Sequence, residues 1–285
     1  MLAVSAALLL STKAILVKLA FPYGVGALTL LALRMAFATP FFAVIAYRER
    51  GVGEPLRKRD WMALLGLGLL GYYGASYLDF VGLQYISAGL ERLILFTYPT
   101  ITLLISGVAF GRPFRRVDLA ALGLTWLGIA LAFVHDVRIA EDASTVWLGS
   151  ACVLASAVCF AAYLAGCGEL IARLGSTRVS ALATCISAAA TMLHFGAAHE
   201  LAELAQPWQV MALAAGMAVF VTVLPVFMNL AAMEQLGASR TAIIGSIGPV
   251  FTLGLGAVFL DEPISLTQLA GTALVMSGVW LAGRK

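Results

Sequence analysis

The feature that most constrains this chain is a succession of ten apolar runs, each close to the length of about 20 residues that a helix needs to cross a bilayer. They lie near 2–20, 25–47, 61–83, 90–110, 117–134, 146–167, 178–197, 208–230, 239–260 and 266–282. The links between them are short, and the longest polar one, Arg48 to Asp60, is broken by Gly51, Gly53 and Pro55. No room is left for a soluble domain. The chain is 61% hydrophobic and 12% charged, against about 45–50% and about 25% in soluble domains. The bilayer is therefore the solvent for most of its surface. That excludes soluble enzymes, disulfide scaffolds, coiled coils and disordered regulators. The expected fold is an all-α membrane protein. Met1-Leu2-Ala3 carries no basic stretch and more spans follow, so the first run reads as a membrane helix, not a cleaved signal. It starts almost at Met1, which leaves open a cytoplasmic tail ahead of it.

The sequence also repeats. Residues 62–132 align with 212–282 at a constant offset of 150, placing Pro99 on Pro249, Thr102 on Thr252, Pro113 on Pro263 and Gly128 on Gly278. Each unit holds five helices, so the second must enter the membrane upside down relative to the first. The expected division is 1–135, a linker 136–145 outside the cytoplasm, and 146–285, packed as two inverted five-helix repeats around a central cavity. Lys and Arg favour cytoplasmic loops. With the N-terminus inside, thirteen bases fall in cytoplasmic segments, two (Arg92 and Arg138) outside, and three (Lys13, Lys18 and Arg34) within spans. Both termini are expected in the cytoplasm. The equivalent loops Gly111-Arg112-Pro113, with Arg115 and Arg116 following, and Asp261-Glu262-Pro263 carry opposite charge, as inversion requires.

This pattern resembles the drug/metabolite transporter superfamily, EamA-type branch, across essentially the whole chain. The resemblance is carried by Ser11 to Lys18, Arg34-Met35, the run Gly82 to Gly89, Pro99, Leu236-Gly237-Ala238-Ser239, Pro249 and the acid-proline turn Asp261-Glu262-Pro263. Leu10-Ser11 stands where the family usually has Trp-Gly, and Lys13 where it usually has a small polar residue. The resemblance implies a small-metabolite carrier of the bacterial inner membrane, often an amino-acid exporter, with a cavity between its two units.

A charge inside a bilayer costs at least about 2.5–3.5 kcal/mol on insertion scales and marks a functional candidate. Lys18 is near a helix end and can reach the interface. Lys13 and Arg34 lie near mid-depth. Each needs a polar cavity or an acid, and Asp79 is the acid well inside a span. Two readings stay open: a structural pair of Asp79 with Lys13 or Arg34, or a base that holds a substrate carboxylate, for which Arg34 offers a bidentate fork. Tyr73, Tyr77, Phe80 and Gln84 recur on one helix face, and Tyr98 and Thr102 on another beside Glu91. Asn229, the repeat mate of Asp79, is a polar candidate on the opposite wall. Together Lys13, Arg34, Tyr73, Tyr77, Asp79, Tyr98, Thr102 and Asn229 are the expected substrate-binding set. Pro40, Pro99, Pro225 and Pro249 interrupt spans, and the matched Pro99 and Pro249 are the expected hinges.

Several motifs are refused. Gly66-Leu67-Gly68-Leu69-Leu70-Gly71 spells a dinucleotide fingerprint but lies in a membrane run, without the strand it requires. There is no Walker loop, HExxH or GxSxG. Cys152, Cys159, Cys167 and Cys185 have no metal-ligand spacing, and His135, His194 and His199 read as scattered near the outer face. No cofactor, metal or nucleic-acid partner is expected, and the expected partners are a small-molecule substrate and membrane lipid. The leading function is a secondary transporter exporting amino acids or related amphiphilic metabolites by alternating access. Proton coupling through Asp79 or Glu91 and facilitated diffusion stay open, as does the oligomeric state. The alternatives are an uptake carrier for a nucleobase, vitamin or other anionic metabolite, and, disfavoured, an intramembrane enzyme.

Overall fold

A computed structural model describes residues 1–110, 116–140, 142–236, 241 and 244–283. The basic loop 111–115, Glu141, the stretch Gly237-Ala238-Ser239-Arg240 and the terminal Arg284-Lys285 lie outside the described residues. Among the described residues there is no strand. In chain order the helices are α1 (Leu2–Ala20), α2 (Ala27–Arg48), α3 (Lys58–Leu67), α4 (Ala75–Gly82), α5 (Ala88–Leu95), α6 (Tyr98–Phe110) and α7 (Arg116–Ile139). They continue with α8 (Ala143–Gly166), α9 (Gly168–Leu174), α10 (Ser176–Ala198), α11 (Trp208–Gly216), α12 (Leu224–Leu236), α13 (Gly248–Phe259) and α14 (Leu266–Gly283). Among the described residues, eight segments are long and apolar enough to cross a membrane, and two shorter apolar helices, Gly248–Phe259 and Leu266–Ala282, follow them.

Two of the long segments are not uniform α-helix. A π-helical stretch, Gly68–Gly74, joins α3 to α4, and another, Met217–Val223, joins α11 to α12. In the second, Thr222 Oγ1 donates to the Met217 carbonyl five residues back. The fourth expected run, 90–110, is also not one helix. It breaks into α5 and α6 at Phe96–Thr97, and the chain turns again at Ser246–Ile247 before α13. Each turn ends two residues before a proline, Pro99 or Pro249. A proline ring clashes with the carbonyl four residues back and offers no N–H, and both of these prolines avoid that cost by sitting in the first turn of a new helix; Pro40, expected to interrupt its span, instead lies inside the continuous α2.

Small residues set the closest helix contacts, as expected where lipid removes the hydrophobic drive and tight packing replaces it. A Cβ on Gly128 of α7 would lie 2.5 Å from the Gly271 carbonyl of α14. A Cβ on Gly278 would meet Thr125 Oγ1, and the Ala121 carbonyl at 2.7 Å. As the contact climbs α7 from Ala121 towards Ala132 it descends α14 from Gly278 to Gly271, so the two helices run antiparallel. Gly82 and Gly149 join α4 to α8 in the same way.

One apolar cluster joins α1, α2, α4 and α11 through Val17, Leu30, Leu31, Met35, Phe80, Ala214 and Met217. All five tryptophans, Trp61, Trp126, Trp147, Trp208 and Trp280, are exposed. Four of them lie near helix ends, where amphipathic rings suit the headgroup level. The base-rich side is tied by Arg173. It donates to Asp60 through both Nη atoms at 2.9 and 3.2 Å and to Glu54 through Nε at 3.0 Å. Beside it Arg178 donates to the carbonyls of Val52 and Glu54 at 2.6 and 3.0 Å.

Candidate functional site

The site is built where α1, α2, α4 and α5 approach one another. Lys13, on α1, places its ammonium 2.7 Å from Asp79 Oδ2 and 2.9 Å from Glu91 Oε1. The two acids come from α4 and α5 and are 2% and 0% exposed. Of the two expected partners for Asp79, the structure therefore selects Lys13. Arg34 projects from α2 and is 5% exposed. Its guanidinium carbon sits 4.7 Å above the centre of the Phe80 ring, a cation–π contact. Phe80 follows Asp79 in sequence, so Arg34 and the ion pair flank the same turn of α4.

Arg92 was counted among the bases outside the membrane although it falls within the fourth run, and the structure places it in a helix. It lies inside α5, its guanidinium 5.1 Å from the centre of the Phe96 ring and against Gly248 of α13. A Cβ on Gly248 would come within 2.8 Å of an Arg92 Nη atom, so the glycine makes room for the arginine.

The α1–α13 crossing brings the second half of the chain to this cluster. Ser11 Oγ donates to the Gly248 carbonyl at 3.0 Å, and Thr252 Oγ1 donates to the Ser11 carbonyl at 3.3 Å. Both residues are buried, and Ser11 is two positions from Lys13. At the far end of α1, Lys18 lies 2.9 Å from Glu262 and donates to the Ile86 carbonyl at 2.8 Å. Glu262 also accepts the Ala88 N–H at 3.0 Å, and Asp136 accepts the Ser87 N–H at 3.0 Å. Two carboxylates thus meet the free N–H groups at the start of α5, where negative charge is favoured.

The remaining expected residues make their described contacts elsewhere. Tyr73 and Tyr77 stack with centres 6.3 Å apart, and the Tyr73 hydroxyl is 2.7 Å from His194 Nδ1 on α10. His194 was read as scattered and solvated; the structure corrects this, because the ring is half-buried and packs edge-on against both tyrosines. Gln84, at the end of the same expected face, is exposed. Tyr98 packs edge-on against Phe160 of α8 at 5.2 Å. Thr102 donates to the Tyr98 carbonyl in its own helix. Asn229 is half-buried on α12, which packs on α1.

A surface groove lies elsewhere. A groove of about 370 Å³ runs between Leu19, Tyr23, Trp208 and Leu213, and none of the buried charges lines it. The ionic cluster is closed in this conformation, and only Lys13 keeps appreciable side-chain exposure, 16%. The four cysteines are free, and among the described residues no group of His, Cys, Asp and Glu could hold a metal.

With this geometry in place, similarity to known proteins is decisive. The EamA-like transporter family matches residues 1–134 and 147–284. The chain belongs to that family. Uncharacterized transporter YcbK of Bacillus subtilis (strain 168) is 30% identical over 267 residues, covering 92% of this chain and 85% of that protein. The threonine/homoserine exporter RhtA of Escherichia coli (strain K12) is 30% identical over 281 residues, covering 95% and 87%. A solved crystal structure that is 20% identical covers 99% of this chain and 94% of its own with a TM-score of 0.63, a likeness of fold. The protein is an integral membrane transporter, and the family and its relatives are named as transporters and not as enzymes.

Proposed function

We propose that this EamA-family transporter is a secondary carrier exporting amino acids or related small amphiphilic metabolites across the inner membrane by alternating access. The observation that carries the reading is the sealed cluster of Lys13, Arg34, Asp79 and Glu91 between membrane helices. Charges at this depth are costly, and buried as these are, they call for a conformation that exposes them. The exporter named among the relatives favours amino acids as cargo.

The rocking units are 1–135 and 146–285, inverted relative to each other. Two features support this. The helix breaks at Phe96–Thr97 and Ser246–Ile247 are separated by the same 150 residues as the sequence repeat. The helices α7 and α14 are also repeat mates, and their contacts are reciprocal. Gly128 meets Gly271 while its mate Gly278 meets Ala121, the mate of Gly271. Reciprocal contact is what a two-fold relation produces, and the antiparallel course of the two mates supports an axis in the membrane plane. Pro99 and Pro249, each opening the second half of a broken segment, are the hinges.

The test is counterflow in proteoliposomes with radiolabelled amino acids, L-threonine among them. Exchange of at least one amino acid above protein-free vesicles is expected. Absence of flux for every amino acid overturns the cargo class.

A further inference from the structure

The buried cluster holds polar atoms of two kinds without a partner: Nε of Arg34, and of the neighbouring Arg92, on one side, and Oδ1 of Asp79 with Oε2 of Glu91 on the other. Buried polar groups are nearly always satisfied in folded proteins, so such exceptions call for an explanation. An anion alone would satisfy Arg34 and leave the acids as they are, and a cation alone would do the reverse. A molecule bearing an ammonium and a carboxylate on one carbon serves both. Both kinds of atom flank one turn of α4, because Asp79 immediately precedes Phe80, the ring on which Arg34 rests at 4.7 Å. The acids already accept an ammonium, that of Lys13, which bridges Asp79 Oδ2 and Glu91 Oε1 at 2.7 and 2.9 Å.

We propose that this cluster is the recognition site for an α-amino-acid zwitterion. The Arg34 fork takes the α-carboxylate, Asp79 Oδ1 and Glu91 Oε2 take the α-ammonium, and the Lys13 ammonium acts as a tethered competitor for the same acids. The assignment rests on the amino-acid export reading and deepens it. It makes a demand that the reading alone does not: both charged groups of the cargo must be free. A site built to bond a group rejects an analogue that lacks it far more strongly than an apolar pocket can, because its own polar atoms are then left buried and unpaired.

The experiment measures thermal stabilisation of the purified full-length protein by L-threonine, N-acetyl-L-threonine and L-threoninamide. Concentration at half effect is the readout, which does not depend on turnover. The acetylated and amidated analogues are expected to bind at least tenfold more weakly than L-threonine. Arg34→Lys, which keeps charge and loses the fork, is expected to weaken L-threonine at least tenfold and leave L-threoninamide within twofold. Glu91→Gln is expected to weaken L-threonine at least tenfold and leave N-acetyl-L-threonine within twofold. The analogue series on the unmodified protein decides the matter even if either variant folds poorly. Binding of either analogue within twofold of L-threonine overturns the proposal, as does unchanged L-threonine binding in both variants while counterflow persists. If the unmodified protein neither binds nor exchanges any amino acid, the export reading falls and this assignment falls with it.

Discussion

A lysine shared by two buried carboxylates is the residue-scale fact from which the chemistry follows. Lys13 holds Asp79 and Glu91 together, and neither acid has another basic partner at ion-pair distance among the described residues. Removing one member of a buried pair leaves an uncompensated charge, which costs about 3–5 kcal/mol. Replacing every member by neutral groups of similar shape does not carry that cost. Lys13→Met is therefore expected to lower the melting temperature more than the triple variant Lys13→Met/Asp79→Asn/Glu91→Gln, while both lose transport. A triple variant less stable than the single one in a thermal melt would show that the ionic network itself holds the helices together. Lys13, Arg34 and Asp79 were legible in the sequence because a charge cannot hide in an apolar run. Which base Asp79 would choose was not, since depth along a helix does not give rotation about it. Arg92 and His194 were missed for a different reason. Each lies within a few residues of an expected helix end, where burial and exposure have the same local sequence signal.

At the scale of elements, helix existence was easy to read and helix interruption was not. The π stretches Gly68–Gly74 and Met217–Val223 keep the apolar composition of the segments around them, so hydropathy passes over both. The turns before Pro99 and Pro249 were flagged only by the prolines, and these were read as bends within a helix when each in fact starts a new one. Packing of α7 on α14 was foreshadowed by the matched pair Gly128 and Gly278, whose role as the contact itself needed coordinates. This gives a sharp contrast between two glycines of one helix. A side chain at Gly128 meets backbone at 2.5 Å, whereas nothing lies within 4 Å of a Cβ at Gly123. Backbone cannot step aside as a flexible side chain can. Gly128→Val is expected to cut the yield of monodisperse protein at least fivefold on size-exclusion chromatography, and Gly123→Ala to leave it unchanged. Equal yields would mean that α7 and α14 part at no cost.

At the scale of the whole molecule, the charge distribution and the two ends of the fold bear on one question, how the halves move. We propose, from the excess of bases, that Lys58 lies on the cytoplasmic side and Glu200 on the outer side. In a cysteine-free background, Lys58→Cys is therefore expected to resist a membrane-impermeant thiol reagent in intact cells, and Glu200→Cys to react. On the Lys58 side, Arg173 of the second half grips Asp60 and Glu54 of the first. On the other side, Glu262 of the second half grips Lys18 and the Ala88 N–H of the first. Both contacts are made here, which agrees with the closed cluster between them. A rocking carrier must break one contact while keeping the other, so weakening one should tighten its opposite. Arg173→Gln removes the bidentate grip on the inner side. It is expected to raise amide hydrogen exchange in 49–57 and lower it in 86–92. Glu262→Gln is expected to do the reverse. The sign of the distant change is the informative part. Local loosening alone follows from losing any ion pair, whereas protection gained at the far end requires the halves to move as bodies. Exchange that rises only near each substitution would leave the two ends uncoupled and remove alternating access as the mechanism.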